Sequence, residues 1–203
     1  QRRSIDLGVE LTSVLSTVAA PDTAFDTSSR LAQMLKTVAH LIAARDELGM
    51  KRQTFFIGIG DYDTHGDQVN RHPLLMAELN HALSSFYNAT ETMGVQDNVT
   101  TFTASDFGRT LTSNGDGTDH GWGSHQMIIG GAVNGSRIFG DLPELAIGSV
   151  DDIGEGRIIP TTSMEQMAAT LAGWYGLSAA QIAETFPNLR NFNSADLGFL
   201  RNT

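Results

Sequence analysis

Acids and histidines cluster in three short segments of this sequence, and each segment follows an apolar run. The segments are residues 61–65, which read Asp-Tyr-Asp-Thr-His, the single position Asp106, and residues 118–125, which contain Asp119, His120 and His125. Divalent cations at hydrolytic sites take carboxylate oxygens and neutral imidazole nitrogens as ligands. The sequence therefore predicts a metal site to which all three segments contribute.

The first segment places two acids close to a histidine. Asp61, Asp63 and His65 alternate along the chain. In extended backbone, residues two apart share a face, so both carboxylates would lie on the side of the imidazole. A turn after Gly60 would instead bring Asp61 and His65 together. Either geometry aims a carboxylate and an imidazole at one point, and the sequence leaves the choice open.

Apolar runs and a helical segment are expected to position these side chains. Residues 54–59 and 99–104 are too short for core helices and predict buried strands. Residues 71–94 show helical periodicity that begins with Pro73 in the first turn. A strand, a helix and a strand in this order form a right-handed parallel crossover. Because open α/β sheets bind ligands at the carboxyl ends of their strands, we expect the segments to meet at one sheet edge.

A further strand is predicted over residues 127–133, and its start places His120 and His125 beside the other loops. We predict one α/β domain over the whole chain. Its parts are an N-terminal helix and linker (1–29), a motif-bearing sheet core (30–140), an acidic Gly-rich loop (141–160) and C-terminal helices (161–203).

Local signals refine these parts. A helix that ends near Gly49 carries His40, which we expect to pack or to face solvent rather than to bind metal. Capping boxes formed by Ser163 with Gln166 and by Ser178 with Gln181 predict the starts of two helices.

The acidic loop lacks the alternating oxygen ligands of an EF-hand, so we interpret it as solvated rather than as a calcium site. The tail from residue 191 onward is expected on the surface.

Composition excludes several classes of function. The net charge of −10 argues against nucleic acid or an anionic membrane as the main partner. The chain has no cysteine, which excludes disulfides and thiolate metal sites. No apolar run reaches the length that spans a membrane.

The order of motifs resembles a known group of proteins. The motifs are Asp-Tyr-Asp-Thr-His, Ser-Asp-Phe-Gly-Arg-Thr, Gly-Thr-Asp-His-Gly-Trp-Gly and Gly-Gly-Ala-Val-Asn-Gly. Over about residues 31–175 they closely resemble an uncharacterised family of exported bacterial proteins, the domain of unknown function fifteen-oh-one, grouped with the alkaline phosphatase and sulfatase superfamily. The resemblance implies a three-layer αβα fold with a mostly parallel sheet, of which this chain resembles the C-terminal part. It also implies a periplasmic or secreted location.

The resemblance further implies metal ligands in the first two segments. Superfamily hydrolases hold two metals with an Asp-x-x-x-His pair, a strand-end Asp-His pair and a later His. Asp61 and His65 have the first spacing, whereas Asp63 belongs to the Asp-Thr-His motif of the family itself. Asp106 resembles the strand-end acid, with Phe107 where the superfamily has His.

The third segment resembles the source of the later ligand, which is His120 or, as the alternative, His125. The implied cofactor is a divalent metal, with zinc first and manganese or calcium as alternatives. Arg109 would face the same cleft and bind a phosphate or sulfate group through bidentate hydrogen bonds.

These features predict a metal-dependent hydrolase of phosphate or sulfate esters, with a small anionic ester as its substrate. In the superfamily the nucleophilic Ser or Thr lies on an earlier strand, and no segment before Thr54 matches that strand. We therefore keep a second hypothesis, a non-catalytic module that keeps the fold and binds metal or a partner. A missing N-terminal segment or a homodimer partner is expected to cover an open sheet edge.

Overall fold

The computed structural model describes residues 2–201, without the side chains of residues 2–7 and 10. The chain divides into two compact units. The first unit comprises the residues up to Asp63 together with Arg71–Gln96, and the second comprises Thr64–Asn70 and the residues from Asp97 onward. No helix among the described residues combines the length and the apolar character needed to cross a membrane.

The described residues of the first unit include three helices: α1 (Arg2–Thr17), α2 (Arg30–Ala43) and α3 (Gln68–Thr92). The first turn of α3 belongs to the second unit. The predicted apolar face of α2 is confirmed, and the Ser29 hydroxyl caps the helix by accepting the Ala32 N–H. Full burial of a Leu or Ile side chain stabilises the fold by about 1.5–3 kcal/mol. The buried side chains of α2 and α3 are Leu31, Ala32, Leu35, Val38, Ala39, Ile42, Leu79, Ala82, Phe86, Ala89 and Thr90.

His40 has the structural role that its place on a helix predicted. Its Nε2 atom lies 2.7 Å from the carbonyl oxygen of Val18, and the side chain is half-buried. The imidazole therefore ties α2 to the residue that follows α1.

The start of α3 differs from the prediction. The helix begins at Gln68, so Pro73 lies inside it rather than in its first turn. Proline has no N–H, and this position therefore lacks one helical hydrogen bond. The earlier start is stabilised from outside the helix, because the Gln68 N–H donates to the carbonyl oxygen of Asp116 at 3.1 Å.

The prediction of a buried strand over residues 54–59 is wrong for this structure. The segment is assigned no regular secondary structure, and Phe56 is 94% exposed. Apolar composition predicts burial only when another element covers the segment, and sequence periodicity does not show whether one does.

Four short strands lie in the second unit. Strand β1 (Thr101–Phe102) pairs antiparallel with β4 (Ile128–Ile129), which places strands within the two apolar runs predicted to form them. Strands β2 (Arg109–Ser113) and β3 (Thr118–His120) form an antiparallel hairpin. The sequence analysis counted the segment that carries His120 among the loops, so this hairpin corrects the prediction. Parallel pairing in a three-layer sheet stays a prediction.

The C-terminal helices are α4 (Met164–Tyr175) and α5 (Ala179–Thr185), followed by a 3₁₀ helix (Pro187–Asn191). Both predicted capping boxes are present, with Ser163 and Ser178 as the caps. Residues 141–160 form a loop, as predicted.

The expectation that the tail lies on the surface is wrong for part of it. Phe199 is only 1% exposed, and its carbonyl oxygen accepts the Asn134 N–H at 2.9 Å. Its ring makes an edge contact with Phe139 at a centroid distance of 6.0 Å. The tail is therefore part of the core of the second unit, whereas residues 202 and 203 lie outside the described residues.

Candidate metal centre

The tip of the β2–β3 hairpin holds the segment that carries His65. The Thr118 N–H donates to the Thr64 carbonyl oxygen at 3.4 Å. The side-chain amide of Asn114 donates to the His65 carbonyl oxygen at 3.0 Å. Together with the bond from Gln68 to Asp116, these contacts fix the backbone on both sides of the imidazole.

Close approach of this segment requires a glycine in the hairpin. A Cβ atom on Gly117 would lie 2.4 Å from the carbonyl oxygen of Thr64 and 2.6 Å from the carbonyl carbon of His65. Both distances are shorter than real Cβ contacts, and the obstructing atoms belong to the backbone. The glycine therefore allows the hairpin to contact residues 64 and 65 directly.

This arrangement brings His65 next to His120 of β3. Their ring centroids are 4.8 Å apart, with the planes inclined by 41°. Asp63, two residues before His65 along the chain, adds a carboxylate. One ligand atom from each of the three side chains lies within 4.8 Å of the other two, and all three residues are exposed.

Two imidazoles and one carboxylate are a ligand set suited to a divalent metal. Catalytic zinc sites use three protein ligands of these types and keep a further position for water or substrate. At zinc–ligand distances of about 2.0–2.2 Å, the ligand atoms of a tetrahedral site lie roughly 3.3–3.6 Å apart. Because the three atoms here lie within 4.8 Å of one another, they would need to move closer by at most about 1.5 Å, which rotation of exposed side chains permits.

Asp119 lies beside His65 and is hydrogen-bonded to it. Its Oδ1 atom is 3.1 Å from the Nδ1 atom of His65 and 3.2 Å from the side-chain nitrogen of Asn114. These two hydrogen bonds, the one from Asn114 first, lower the pKa of the Asp119 carboxyl below its ordinary value. The carboxylate is therefore ionised at neutral pH.

Phe107 and Arg109 surround the other imidazole. The Phe107 ring is stacked on the His120 ring. The Arg109 guanidinium lies 5.8 Å from the centroid of the Phe107 ring. It also donates through Nε to the Thr118 hydroxyl at 3.1 Å and through an Nη atom to the Thr118 carbonyl oxygen. Arg109 thus crosslinks the two strands of the hairpin, an arrangement that its predicted anion-binding role did not anticipate.

Three of the ligands predicted from sequence lie outside the group formed by Asp63, His65 and His120. Asp61 has a positive φ of 73°, and its carboxylate lies 3.8 Å from the guanidinium of Arg71. Asp106 is exposed at a bend before β2, and His125 is exposed before β4. The positive φ of Asp61 departs from the extended backbone that alternation assumes, so only Asp63 lies with the histidine.

Sequence reasoning named Asp119 and Phe107, but it missed the hydrogen bond between Asp119 and His65, the stack of Phe107 on His120 and any role for Asn114. A signal for the hairpin was present, because Asn114-Gly115-Asp116-Gly117 is a turn sequence with threonines on both sides, at 110, 112 and 118. Recognition of the hairpin would have paired Arg109 with His120 and brought Phe107 near the imidazole.

Comparison with known proteins gives a single finding. A family described as "Protein of unknown function (DUF1501)" matches residues 4–195 of the chain. Searches of curated proteins and of solved structures give no match.

Proposed function

Since the chain belongs to the DUF1501 family, whose function is unknown, we propose a function from its chemistry: a metal-dependent hydrolase of phosphate or sulfate esters. The observation that carries the proposal is the convergence of Asp63, His65 and His120, three exposed groups that are ligands for divalent metals. Zinc is the first choice, because two imidazoles and a carboxylate match its preferred donors. Manganese and calcium are the alternatives.

Each residue of the site would have a distinct role in the proposed hydrolysis. Asp63, His65 and His120 would hold the ion, which when bound polarises an ester oxygen and lowers the pKa of bound water. Asp119 keeps a negative charge beside His65 and favours a fixed orientation of that ring. The charge of the Arg109 guanidinium also contributes to the lowered pKa of the Asp119 carboxyl. Arg109 therefore adds positive charge near the site. This positive charge favours an anionic ester over a neutral one.

The proposal extends to fold and location. We propose that the chain shares the mostly parallel, three-layer αβα sheet of the alkaline phosphatase and sulfatase superfamily, and that it works in the periplasm or outside the cell. Both rest on the motif resemblance described above. An experimental structure tests the first, and fractionation of cells that express the native gene tests the second.

A second candidate is a non-catalytic metal-binding or partner-binding module. Its support is Phe107, whose ring faces His120 where the superfamily has a second-metal ligand. A phenyl ring donates no ligand atom, so this centre would hold one ion rather than two. Binding of zinc without hydrolysis of any ester would favour this candidate.

Metal content and activity distinguish the two candidates. The protein is purified without chelator, its zinc, manganese and calcium are measured, and hydrolysis of p-nitrophenyl phosphate and p-nitrophenyl sulfate is followed. The hydrolase proposal expects bound metal, turnover that EDTA abolishes, and loss of both in His120→Ala. His81→Ala is the matched control, because His81 is an exposed histidine on α3. Turnover that survives EDTA and His120→Ala would contradict the proposal.

A further inference from the structure

The structure assigns Asp119 as a positioning residue for His65: its carboxylate accepts the Nδ1–H of the imidazole and leaves Nε2 as the metal-binding atom. The inference rests on the proposed metal function, and it adds to that function a residue whose role is orientation rather than ligation. It also predicts the tautomer of His65, which is measurable without any metal.

The first support is the geometry of the pair. Oδ1 of Asp119 lies 3.1 Å from Nδ1 of His65, within the normal range for an N–H···O hydrogen bond. A neutral imidazole carries one N–H and one lone pair. If Nδ1 donates to the carboxylate, then the lone pair is on Nε2, and that atom is the only one able to bind a cation.

The second support is the way the carboxylate is held. The backbone N–H of Asp119 donates to the Thr110 hydroxyl at 3.1 Å, which fixes the residue across the hairpin. Its Oδ1 atom also accepts a hydrogen bond from the side-chain nitrogen of Asn114 at 3.2 Å. The acceptor is therefore fixed from both its backbone and its side chain before any metal arrives.

Asn114 connects the acceptor to the ring that it orients. Its side-chain nitrogen donates both to Asp119 and to the His65 carbonyl oxygen. Its side-chain oxygen accepts the backbone N–H groups of Asp116 and Gly117, at 3.2 and 2.8 Å. One amide thus fixes the turn, the carboxylate and the backbone of the histidine relative to one another.

A carboxylate that accepts from the second nitrogen of a metal-binding histidine is a recurring arrangement in metal sites. It fixes the tautomer and the ring orientation and raises the basicity of the ligand, and its loss costs about 10–100-fold in metal affinity. Asp119→Ala is therefore expected to weaken zinc binding by about 10–100-fold. In Asp119→Asn the amide oxygen still accepts the Nδ1–H, so this variant is expected to recover most of the lost affinity.

The tautomer test uses nitrogen-15 NMR of the histidine side chains in the metal-free protein at a pH where His65 is neutral. Wild-type His65 is expected as the Nδ1–H tautomer, and Asp119→Ala is expected to populate the Nε2–H tautomer. Asp116→Ala removes an acid from the same hairpin and should leave the tautomer unchanged.

Each outcome has a defined meaning. A wild-type His65 in the Nε2–H tautomer, or a tautomer that is the same in Asp119→Ala, overturns the positioning role. An affinity that falls as far in Asp119→Asn as in Asp119→Ala also overturns it, because the amide oxygen of Asn still accepts the Nδ1–H and the hydrogen bond would then contribute nothing. Failure of the wild-type protein to bind zinc overturns the proposed function instead, and the tautomer measurement separates the two failures.

Discussion

The rings of Phe107 and His120 are stacked, with their centroids 3.7 Å apart and an angle of 16° between their planes. The contact holds one face of the imidazole against an apolar surface, and His120 contributes one of the three converging ligand atoms. A side chain that cannot bind metal thereby limits the orientations open to one that can. Phe107 stands where the superfamily resemblance implies a second-metal ligand, and its ring packs on His120 instead.

Loss of this stack is expected to weaken metal binding without abolishing it. Aromatic pairs contribute about 0.5–1.5 kcal/mol beyond the area that they bury, which corresponds to roughly a two- to tenfold change in affinity. Phe107→Leu should therefore raise the dissociation constant for zinc by that factor, as measured by calorimetry. Phe102→Leu, which changes a half-exposed ring on β1, should leave the constant unchanged. Equal affinities for Phe107→Leu and wild type would mean that the stack does not orient His120.

Gly117 is expected to tolerate no side chain. The added Cβ of Gly117→Ala would overlap the backbone of Thr64 and His65, which forces the hairpin away from the segment that carries the imidazole. Overpacking of this kind typically costs about 1–3 kcal/mol, and the displaced histidine should also weaken zinc binding. Urea unfolding and zinc titration of the same variant measure both effects.

The matched control is Gly135→Ala, because a Cβ atom at that glycine meets nothing within 4 Å. It should leave the urea midpoint and the zinc affinity close to those of the wild type. If Gly117→Ala behaved in the same way, the close contact between the hairpin and residues 64 and 65 would be wrong.

Asp152 is expected to stabilise the acidic loop in a way that depends on pH. Its carboxylate accepts the backbone N–H groups of Gly148 and Gly154, each at 2.8 Å, and the bond from Gly148 is the main cause of its lowered pKa. Because the folded pKa lies below the unfolded value of about 3.9, the stabilisation is present above that pH. It is lost as the pH falls through the folded pKa.

Urea midpoints at pH 7 and at pH 3 check this sign. The wild type should unfold at a higher urea concentration than Asp152→Asn at pH 7, and the difference should shrink at the lower pH. A difference that grows toward low pH would contradict the assignment.

Phe199 is expected to be among the most important apolar residues of the second unit. Its side chain is 1% exposed and is in edge contact with Phe139. Removal of a buried phenyl ring typically costs 3–5 kcal/mol, so Phe199→Ala should lower the free energy of unfolding by about that amount. Phe192→Ala, at a ring that is 37% exposed, should cost clearly less. Similar losses for the two variants would place the tail on the surface after all.

Much of the local structure was predictable because its signals lie within a few residues of one another. The 3.6-residue periodicity of α2 and the capping boxes of α4 and α5 need no distant partner, and each is present in the structure. The exposure of residues 54–59 was not predictable in the same way. An apolar run shows that burial is favourable, but it does not show whether another element of the fold covers the run.

The candidate site was also predictable only in part from the sequence. Residue type and spacing identified Asp63, His65 and His120 as candidate ligands, and the structure places these three together. The same reasoning also named Asp61, Asp106 and His125, which lie outside the group. The roles of Asn114 and Asp119 depend on hydrogen bonds to a residue about 50 positions earlier, and sequence spacing carries no information about such contacts.

The most direct test of the account is calorimetric titration of the metal-free protein with zinc. We predict binding of one ion, and a loss of more than about 100-fold in affinity for His65→Ala and for His120→Ala, larger than the loss expected for an outer-shell partner. His125→Ala and His81→Ala should bind as the wild type does. No binding by the wild type, or equal affinities across all four variants, would contradict the metal centre and the function built on it.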